Sequence, residues 1–172
     1  MAHVSKSNLT AKATGILSKD ACVLIVRTEW NAAIVDELQK GCILQLEKAG
    51  IKNINVVTIP GAVEIPFAVK HAWTVVRKKD RPSAIITLGC VLRGDTPHFD
   101  YVCKIVADGV LQLNLSLPVP VIFGVLTVDN EQQAKERIGG VHGHKGEEAA
   151  HTALKMMAWM NSIGKKANHI RK

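Results

Sequence analysis

The sequence predicts an α/β protein built on a four-stranded parallel sheet with helices on both faces. Hydrophobic residues make up 47% of the 172-residue chain but aromatic residues only 4%, so the core must be mainly aliphatic. Short apolar runs rich in β-branched residues alternate with helical segments, with no internal repeat or long linker. This alternation is typical of βαβ units, and strands without polar alternation are typical of parallel sheets covered on both faces. At this length a single domain can fold without disulfides or structural metals.

Central parallel strands are predicted over residues 21–26, 55–59, 84–88 and 119–126. Helices are predicted over residues 31–49, 64–79, 99–117, 130–138 and 145–163. Apolar side chains recur at helical spacing on one face of the first and last of these helices, and Gly50 supplies a C-terminal stop. The simplest arrangement is a flavodoxin-like three-layer α/β/α sandwich. In such sheets ligands bind beyond the carboxyl ends of the strands.

The predicted domain spans residues 20–163, between a polar N-terminal arm (1–19) and a basic C-terminal tail (164–172). The net charge of +7 suggests nucleic acid, an anionic membrane or a phosphorylated substrate as partner. Four of these seven charges lie in the last eight residues, so the domain itself is only mildly basic. The tail is either a solvated extension or an arm that binds anions.

Four scattered cysteines form no Cys-x-x-Cys pair, which favours reduced thiols and a cytoplasmic protein. The first residues lack the apolar core of a secretory signal, and no apolar run is long enough to span a membrane. We therefore expect no membrane partner.

Polar and aromatic residues follow the first two predicted strands. Trp30 is either a lid over the core or a flat surface on which a planar ligand stacks, and Asn31 is a suitable helix N-cap. Pro60 and Gly61 turn the chain into a helix that has Glu64 in its first turn. The Glu64 carboxylate either only interacts favourably with the helix dipole or, together with backbone N–H groups, binds the edge of a heterocycle.

The junction after the third strand contains two glycines, Arg93, Asp95, Thr96 and His98 at the start of a helix. Orphan N–H groups and the helix dipole favour an anion there, so the segment is a plausible phosphate cradle. It matches neither dinucleotide-binding nor P-loop spacing. His98 is either a proton-transfer group or a plain surface residue.

The fourth strand has Phe123 at or near its end, and a basic glycine-rich loop follows from Arg137 to Gly146. Arg137 has the geometry to hold a phosphate. Histidines at 142, 144 and 151 lack a Cys or carboxylate that would complete a ligand set, so no metal site is expected.

Five ordered motifs resemble the 6,7-dimethyl-8-ribityllumazine synthase family. They are Trp-Asn at 30–31, Ile-Pro-Gly-Ala-Val-Glu-Ile-Pro at 59–66, Gly-Cys-Val-Leu-Arg-Gly-Asp-Thr-Pro-His-Phe-Asp-Tyr-Val at 89–102, Pro-Val-Ile-Phe-Gly-Val-Leu-Thr at 120–127, and Arg137 with His-Lys-Gly at 144–146. The resemblance covers about residues 20–163. It departs at Trp30, where the family usually has Phe, at Asp95, where a small residue is more common, and at His144, where Asn is.

The resemblance implies condensation of 5-amino-6-(D-ribitylamino)uracil with 3,4-dihydroxy-2-butanone 4-phosphate, the penultimate step of riboflavin biosynthesis, without a cofactor. It implies His98 as the proton-transfer residue. The uracil would be bound by Trp30, Ala62, Val63, Glu64, Cys90, Val91, Leu92 and Phe123. The butanone phosphate would be bound by Asp95, Thr96 and Arg137, with added charge from Lys145.

The resemblance also implies pentamers or a larger icosahedral capsid, with Phe123 and Arg137 entering the site of a neighbouring subunit, and an association with riboflavin synthase. Among the partners that the charge suggests, the phosphorylated substrate is favoured over nucleic acid. The alternatives are a non-catalytic flavin or phosphate-ligand binding module and a self-assembling shell protein on the same fold.

Overall fold

A computed structural model describes residues 20–170, with side chains for residues 20–164. The strands β1 (Cys22–Thr28), β2 (Asn53–Ile59), β3 (Ala84–Leu92) and β4 (Val121–Val128) form one parallel sheet in the order β2-β1-β3-β4. The α-helices are α1 (Ala32–Lys48), α2 (Ile65–Val75), α3 (His98–Ser116), α4 (Glu131–Lys135) and α5 (Lys145–Ile170). The predicted α/β/α sandwich with a four-stranded parallel sheet is confirmed.

Two aliphatic cores lie on opposite faces of the sheet. Val23 and Ile25 of β1 pack with residues of α1 and α5, whereas Leu24 and Val26 pack with residues of α2 and α3. This alternation follows from the two-residue period of a strand. The packing of α1 on α5 requires Gly146, because a Cβ at this position would overlap the backbone carbonyl of Leu38.

The prediction of four central strands is wrong for β2 and β4, which form the two edges of the sheet. Most of β2 is exposed, including Val56 and Val57. The aliphatic composition of a short run does not distinguish a central strand from an edge strand. The sheet order also depends on which helices cover which face.

Several helix boundaries differ from the predicted ones. Helix α2 ends at Val75 because Val76 is extended, and a short 3₁₀ turn (Lys78–Asp80) follows. Helix α4 ends at Lys135, and the predicted glycine-rich loop contains a small hairpin, β5 (Ile138–Gly140) with β6 (Gly143–His144). Positive φ angles of 117° at Gly139 and 75° at Gly143 permit this tight reversal.

The predicted terminal segments are only partly described. Helix α5 continues to Ile170, so residues 164–170 of the predicted tail are helical. Residues 1–19 and 171–172 lie outside the described residues.

Candidate active site

The carboxyl ends of the parallel strands bring three predicted site segments to one edge of the sheet. These segments are residues 29–31 after β1, 60–64 after β2 and 93–98 after β3. Backbone hydrogen bonds join the first two segments, since the N–H groups of Glu29 and Trp30 donate to the carbonyl oxygen of Pro60 at 3.2 and 3.3 Å. Most of the candidate residues therefore lie at the carboxyl ends of the strands, as predicted from the sequence.

Trp30 and Glu64 both lie close to Gly61. A Cβ on Gly61 would stand 3.4 Å from Cδ1 of the Trp30 indole and 2.9 Å from Oε2 of Glu64. Gly61 thus leaves the space that both side chains use. Trp30 is 73% exposed, which contradicts a role as a lid over the core. Its ring is available as a flat stacking surface beside a carboxylate.

Asn31 holds the Trp30 turn against β3. Its backbone is left-handed, with φ 59° and ψ 43°, and its side-chain amide donates to the carbonyl oxygen of Cys90 at 2.8 Å. Asn31 does stand at the N-cap position of α1, but its side chain makes no capping hydrogen bond, so the predicted capping role is wrong. Asn adopts this left-handed conformation more readily than other non-glycine residues, because its short polar side chain can hydrogen-bond locally.

Two predicted contact residues have buried side chains. Cys90 is 3% exposed and packs in the core beneath α1 and α5, and burial raises the pKa of its thiol to about 11. Ala62 is 8% exposed and packs in the opposite core. Only the backbone of Cys90 or Ala62 can therefore contact a ligand.

The remaining apolar residues predicted to contact the uracil lie after β2 and at the end of β3, between core and solvent. Val63 is more than one-third exposed. Val91 and Leu92 are half-buried and pack toward opposite faces of the sheet, Val91 toward α2 and α3 and Leu92 toward α1 and α5. Val63 is the aliphatic side chain of this set most open to a ligand.

The segment between β3 and α3 is exposed and leads directly into a long helix. Asp95, Thr96 and His98 all have exposed side chains, and His98 is the first residue of α3. A Cβ on Gly94 would meet open space. The N-terminal N–H groups of a 19-residue helix and an imidazole thus lie together at the solvent-facing end of the sheet.

Arg93, which the sequence places in the phosphate cradle, is engaged with two carboxylates. Its Nε lies 3.0 Å from Oδ1 of Asp129, its Nη2 lies 3.1 Å from Oδ1 of Asp100, and its guanidinium stacks on the Phe99 ring at 4.1 Å. Hydrogen bonds to Asp100 and Asp129 raise the pKa of Arg93, and the bond from Arg93 lowers that of Asp129. Sequence reasoning missed both acids.

Phe123 lies elsewhere in the chain. It is the third residue of β4 and pairs with Thr87, so the prediction that it lies at or near the strand end is wrong. Val128, the last residue of β4, lies five positions further on, which corresponds to about 17 Å along the strand. Its side chain is 42% exposed on an edge strand.

Lys145 and Glu148 face the same surface as Phe123. Together with β4 residues they line a surface depression of about 370 Å³. The Lys145 ammonium lies 2.7 and 2.8 Å from the two carboxylate oxygens of Glu148. Glu148 is a residue that sequence reasoning missed, although its Lys-x-x-Glu spacing at a helix start was a usable signal.

Arg137 is tied to this second group. It lies two residues after α4. Its Nη1 donates to the carbonyl oxygen of Gln133 at 2.8 Å, and its own carbonyl oxygen accepts from the backbone N–H of Lys145 at 2.8 Å. The candidate residues therefore form two groups. We call them the strand-end group (30–31, 61–64 and 90–98) and the β4-edge group (Phe123, Arg137, Lys145 and Glu148).

Comparison with known proteins adds to this geometry. The family model described as 6,7-dimethyl-8-ribityllumazine synthase matches residues 20–161. The chain belongs to the 6,7-dimethyl-8-ribityllumazine synthase family. This match confirms the resemblance and includes every residue of both groups.

Curated relatives with the same name agree with this assignment. The 6,7-dimethyl-8-ribityllumazine synthase of Parabacteroides distasonis is 47% identical over 135 residues, covering 77% of this chain and 82% of the relative. That of Bacteroides fragilis is 45% identical over 143 residues, covering 82% of this chain and 97% of the relative. The similarity to lumazine synthases thus extends over more than four-fifths of each of these relatives.

Two further properties concern metals and membranes. No group of three or more His, Cys, Asp or Glu side chains that could hold a metal ion occurs among the described residues. The absence of a metal from the reaction stays a prediction for this member of the lumazine synthase family. Within residues 20–170, no helix is long and apolar enough to cross a membrane.

Proposed function

We propose that this chain condenses 5-amino-6-(D-ribitylamino)uracil with 3,4-dihydroxy-2-butanone 4-phosphate to give 6,7-dimethyl-8-ribityllumazine, phosphate and water. The observation on which the proposal depends is the strand-end group: an exposed Trp30 ring beside Glu64, next along the edge to a helix N-terminus that begins with His98. Family membership over residues 20–161 supports the same reaction.

The uracil would bind at the Trp30 side of this group. A planar ring can stack on the exposed indole, and the Glu64 carboxylate can accept hydrogen bonds from N–H or hydroxyl groups. Ala62 and Cys90 would contribute backbone atoms only, because their side chains are buried. Val63, Val91 and Leu92 would supply the apolar wall.

The phosphorylated ketone would bind over the loop between β3 and α3. Backbone N–H groups near Asp95 and Thr96 and the α3 dipole favour the phosphate dianion. The Asp95 side chain must point away from the phosphate, because two like charges repel at short range. His98 would move protons as the amine condenses with the ketone to an imine with loss of one water, phosphate is eliminated, and the second ring closes with loss of a second water. Holding two substrates in register can lower the barrier by roughly 7–11 kcal/mol.

A direct assay tests the reaction. The two substrates are mixed with the protein, and lumazine is followed by absorbance and fluorescence against the uncatalysed background. We expect acceleration that saturates with both substrates. Binding of the uracil without acceleration would leave the alternative, a non-catalytic flavin or phosphate-ligand module on the same fold.

We further propose that the active site is completed by self-association, as pentamers or a larger capsid. Phe123 and Arg137 lie in the β4-edge group, and Phe123 points from an exposed edge about 17 Å from the strand end. These residues can join the uracil and phosphate sites only if a second copy places its β4 edge against the strand-end group. The 42% exposed Phe123 ring would then be buried.

Complementation between inactive variants tests the shared site. The variants His98→Ala and Arg137→Ala are each assayed alone and after co-assembly from mixed, unfolded chains. If each site takes His98 from one subunit and Arg137 from another, some mixed sites are intact and activity returns. Activity that stays at the level of the separate variants, in particles shown by sedimentation to be mixed, would place both residues in one subunit's site.

Two finer assignments also stay proposals. We propose a reducing, cytoplasmic location, because all four cysteines are free thiols and two of them are buried. Association with riboflavin synthase is the other, and co-sedimentation of the two purified proteins tests it.

A further inference from the structure

We propose that Arg93 is a positioning residue that fixes the loop between β3 and α3 in the form that receives the phosphorylated ketone. The proposal deepens the proposed function and rests on it. Arg93 is the first residue after β3, and its backbone N–H donates to the carbonyl oxygen of Val128 at 3.0 Å. Its main chain is therefore fixed to the end of β4 before the loop begins.

The Arg93 side chain joins three elements. Nε lies 3.0 Å from Asp129 just after β4, while Nη2 and Nη1 lie 3.1 and 3.4 Å from the two oxygens of Asp100 in the first turn of α3. The guanidinium also stacks on Phe99 at 4.1 Å. The planar fork of Arg allows this double pairing with stacking, and the point charge of Lys does not.

This arrangement fixes both ends of the loop. Residues 94–97 run from Arg93 to α3, and the same guanidinium that follows β3 contacts Phe99 and Asp100 beyond the loop. Gly94 lies in open space within the loop, where few contacts restrict it. We infer that the contacts of Arg93, more than packing of the loop itself, determine where the N–H groups at 95–98 point.

Arg93 is poorly suited to bind phosphate directly. Its Nε and both Nη atoms already face carboxylate oxygens, and one guanidinium with two carboxylates has a net charge of −1. Such a cluster does not attract an anion. The phosphate would instead be held by the backbone N–H groups of the loop and by Arg137.

A global structural role is also a poor explanation. Arg93, Asp100 and Asp129 are all well exposed, at 42%, 63% and 62% of their side chains. Exposed ion pairs contribute little to the free energy of unfolding. Removing Arg93 should therefore alter the loop without unfolding the domain.

Steady-state kinetics test the proposal with Arg93→Gln and Arg93→Lys. We expect the KM for the phosphorylated ketone to rise about tenfold in both variants, since a small misplacement of a binding group has effects of this size or larger. The KM for the uracil should stay unchanged. Arg77→Gln is the control, because Arg77 forms another solvent-exposed pair, with Asp80 at 2.8 Å, before β3 and away from the carboxyl ends of the strands. It should leave both constants unchanged.

Amide hydrogen exchange gives a readout that does not need catalysis. Peptides covering residues 93–98 should exchange faster in Arg93→Gln and in Asp129→Asn, while peptides from the α1/α5 core should not change. Unchanged exchange in the loop in both variants, or equal rises in the two KM values, would overturn the positioning role. A wild-type protein without synthase activity would instead reject the proposed function, and the exchange experiment would still decide whether Arg93 orders the loop.

Discussion

The side-chain amide of Asn31 donates a hydrogen bond to the carbonyl oxygen of Cys90 at 2.8 Å. This bond spans 59 residues of sequence and joins the turn after β1 to the end of β3. Trp30 immediately precedes the left-handed Asn31, so this contact helps to hold the turn that carries the indole. The Cys90 backbone thus contributes to the site although its thiol does not.

Two substitutions of Asn31 should separate the contribution of its side-chain hydrogen bond to stability from that of its left-handed backbone. Asn31→Gly keeps access to positive φ and loses only the hydrogen bond, so we expect a loss of about 1 kcal/mol in the free energy of unfolding. Asn31→Ala adds the cost of a left-handed alanine, a further ~1 kcal/mol. Urea unfolding measures both. Equal stability of the Gly variant and wild type would show that the Asn31–Cys90 bond contributes nothing.

Turnover should depend on His98 more than binding does. We expect His98→Ala to lower kcat by about 10²-fold, with little change in the KM for the uracil. The control is His71→Ala, because His71 is another exposed histidine, stacked on Phe67 in α2. Added imidazole should partly restore the rate of His98→Ala, since it can replace the missing proton-transfer group. An unchanged kcat would remove His98 from the mechanism.

The position of most strand-end residues could be predicted because parallel strands must end at one edge of the sheet. A loop after an apolar run lies at that edge whichever order the strands take. Trp30, Glu64 and His98 were located in this way. The orientation of Cys90 was not, because the side-chain parity of a strand changes with a one-residue shift in register.

Contacts between residues that are distant in the sequence could not be predicted. Arg93 and Asp129 are 36 residues apart and meet only because β3 and β4 are neighbours in register. The same limit applies to Phe123. A β-branched run predicts a strand, but the first residue of β4 depends on its pairing with β3. The aromatic residue therefore lies three residues into the strand and on an edge.

Stability at alkaline pH should report the burial of Cys90. Burial raises the pKa of this thiol from 9.0 to about 11, so the unfolded chain loses its proton first. Between pH 9 and 11 the unfolded state binds fewer protons, and the free energy of unfolding must fall as pH rises. By pH 10.5 the loss from Cys90 amounts to about 2 kcal/mol, since each pH unit between the two pKa values lowers the free energy of unfolding by about 1.36 kcal/mol. Urea unfolding from pH 8 to 10.5 should show a shallower decline in Cys90→Ala than in wild type. Parallel declines would mean that the thiol is accessible to solvent.

Arg137 should act mainly on the phosphorylated substrate. One of its five N–H donors is used by the carbonyl oxygen of Gln133, which orients the guanidinium and leaves the other donors for an anion. Because hydrogen bonds to charged groups contribute roughly 1.5–3 kcal/mol, Arg137→Ala should raise the KM for the ketone phosphate by about 10- to 100-fold. Lys135→Gln is the matched control, since Lys135 is a nearby α4 cation paired with Glu131 at 2.9 Å. Initial rates at varied concentrations of each substrate give the two KM values. An equal rise in the KM for the uracil would show that Arg137 shapes the whole site and does not bind phosphate selectively.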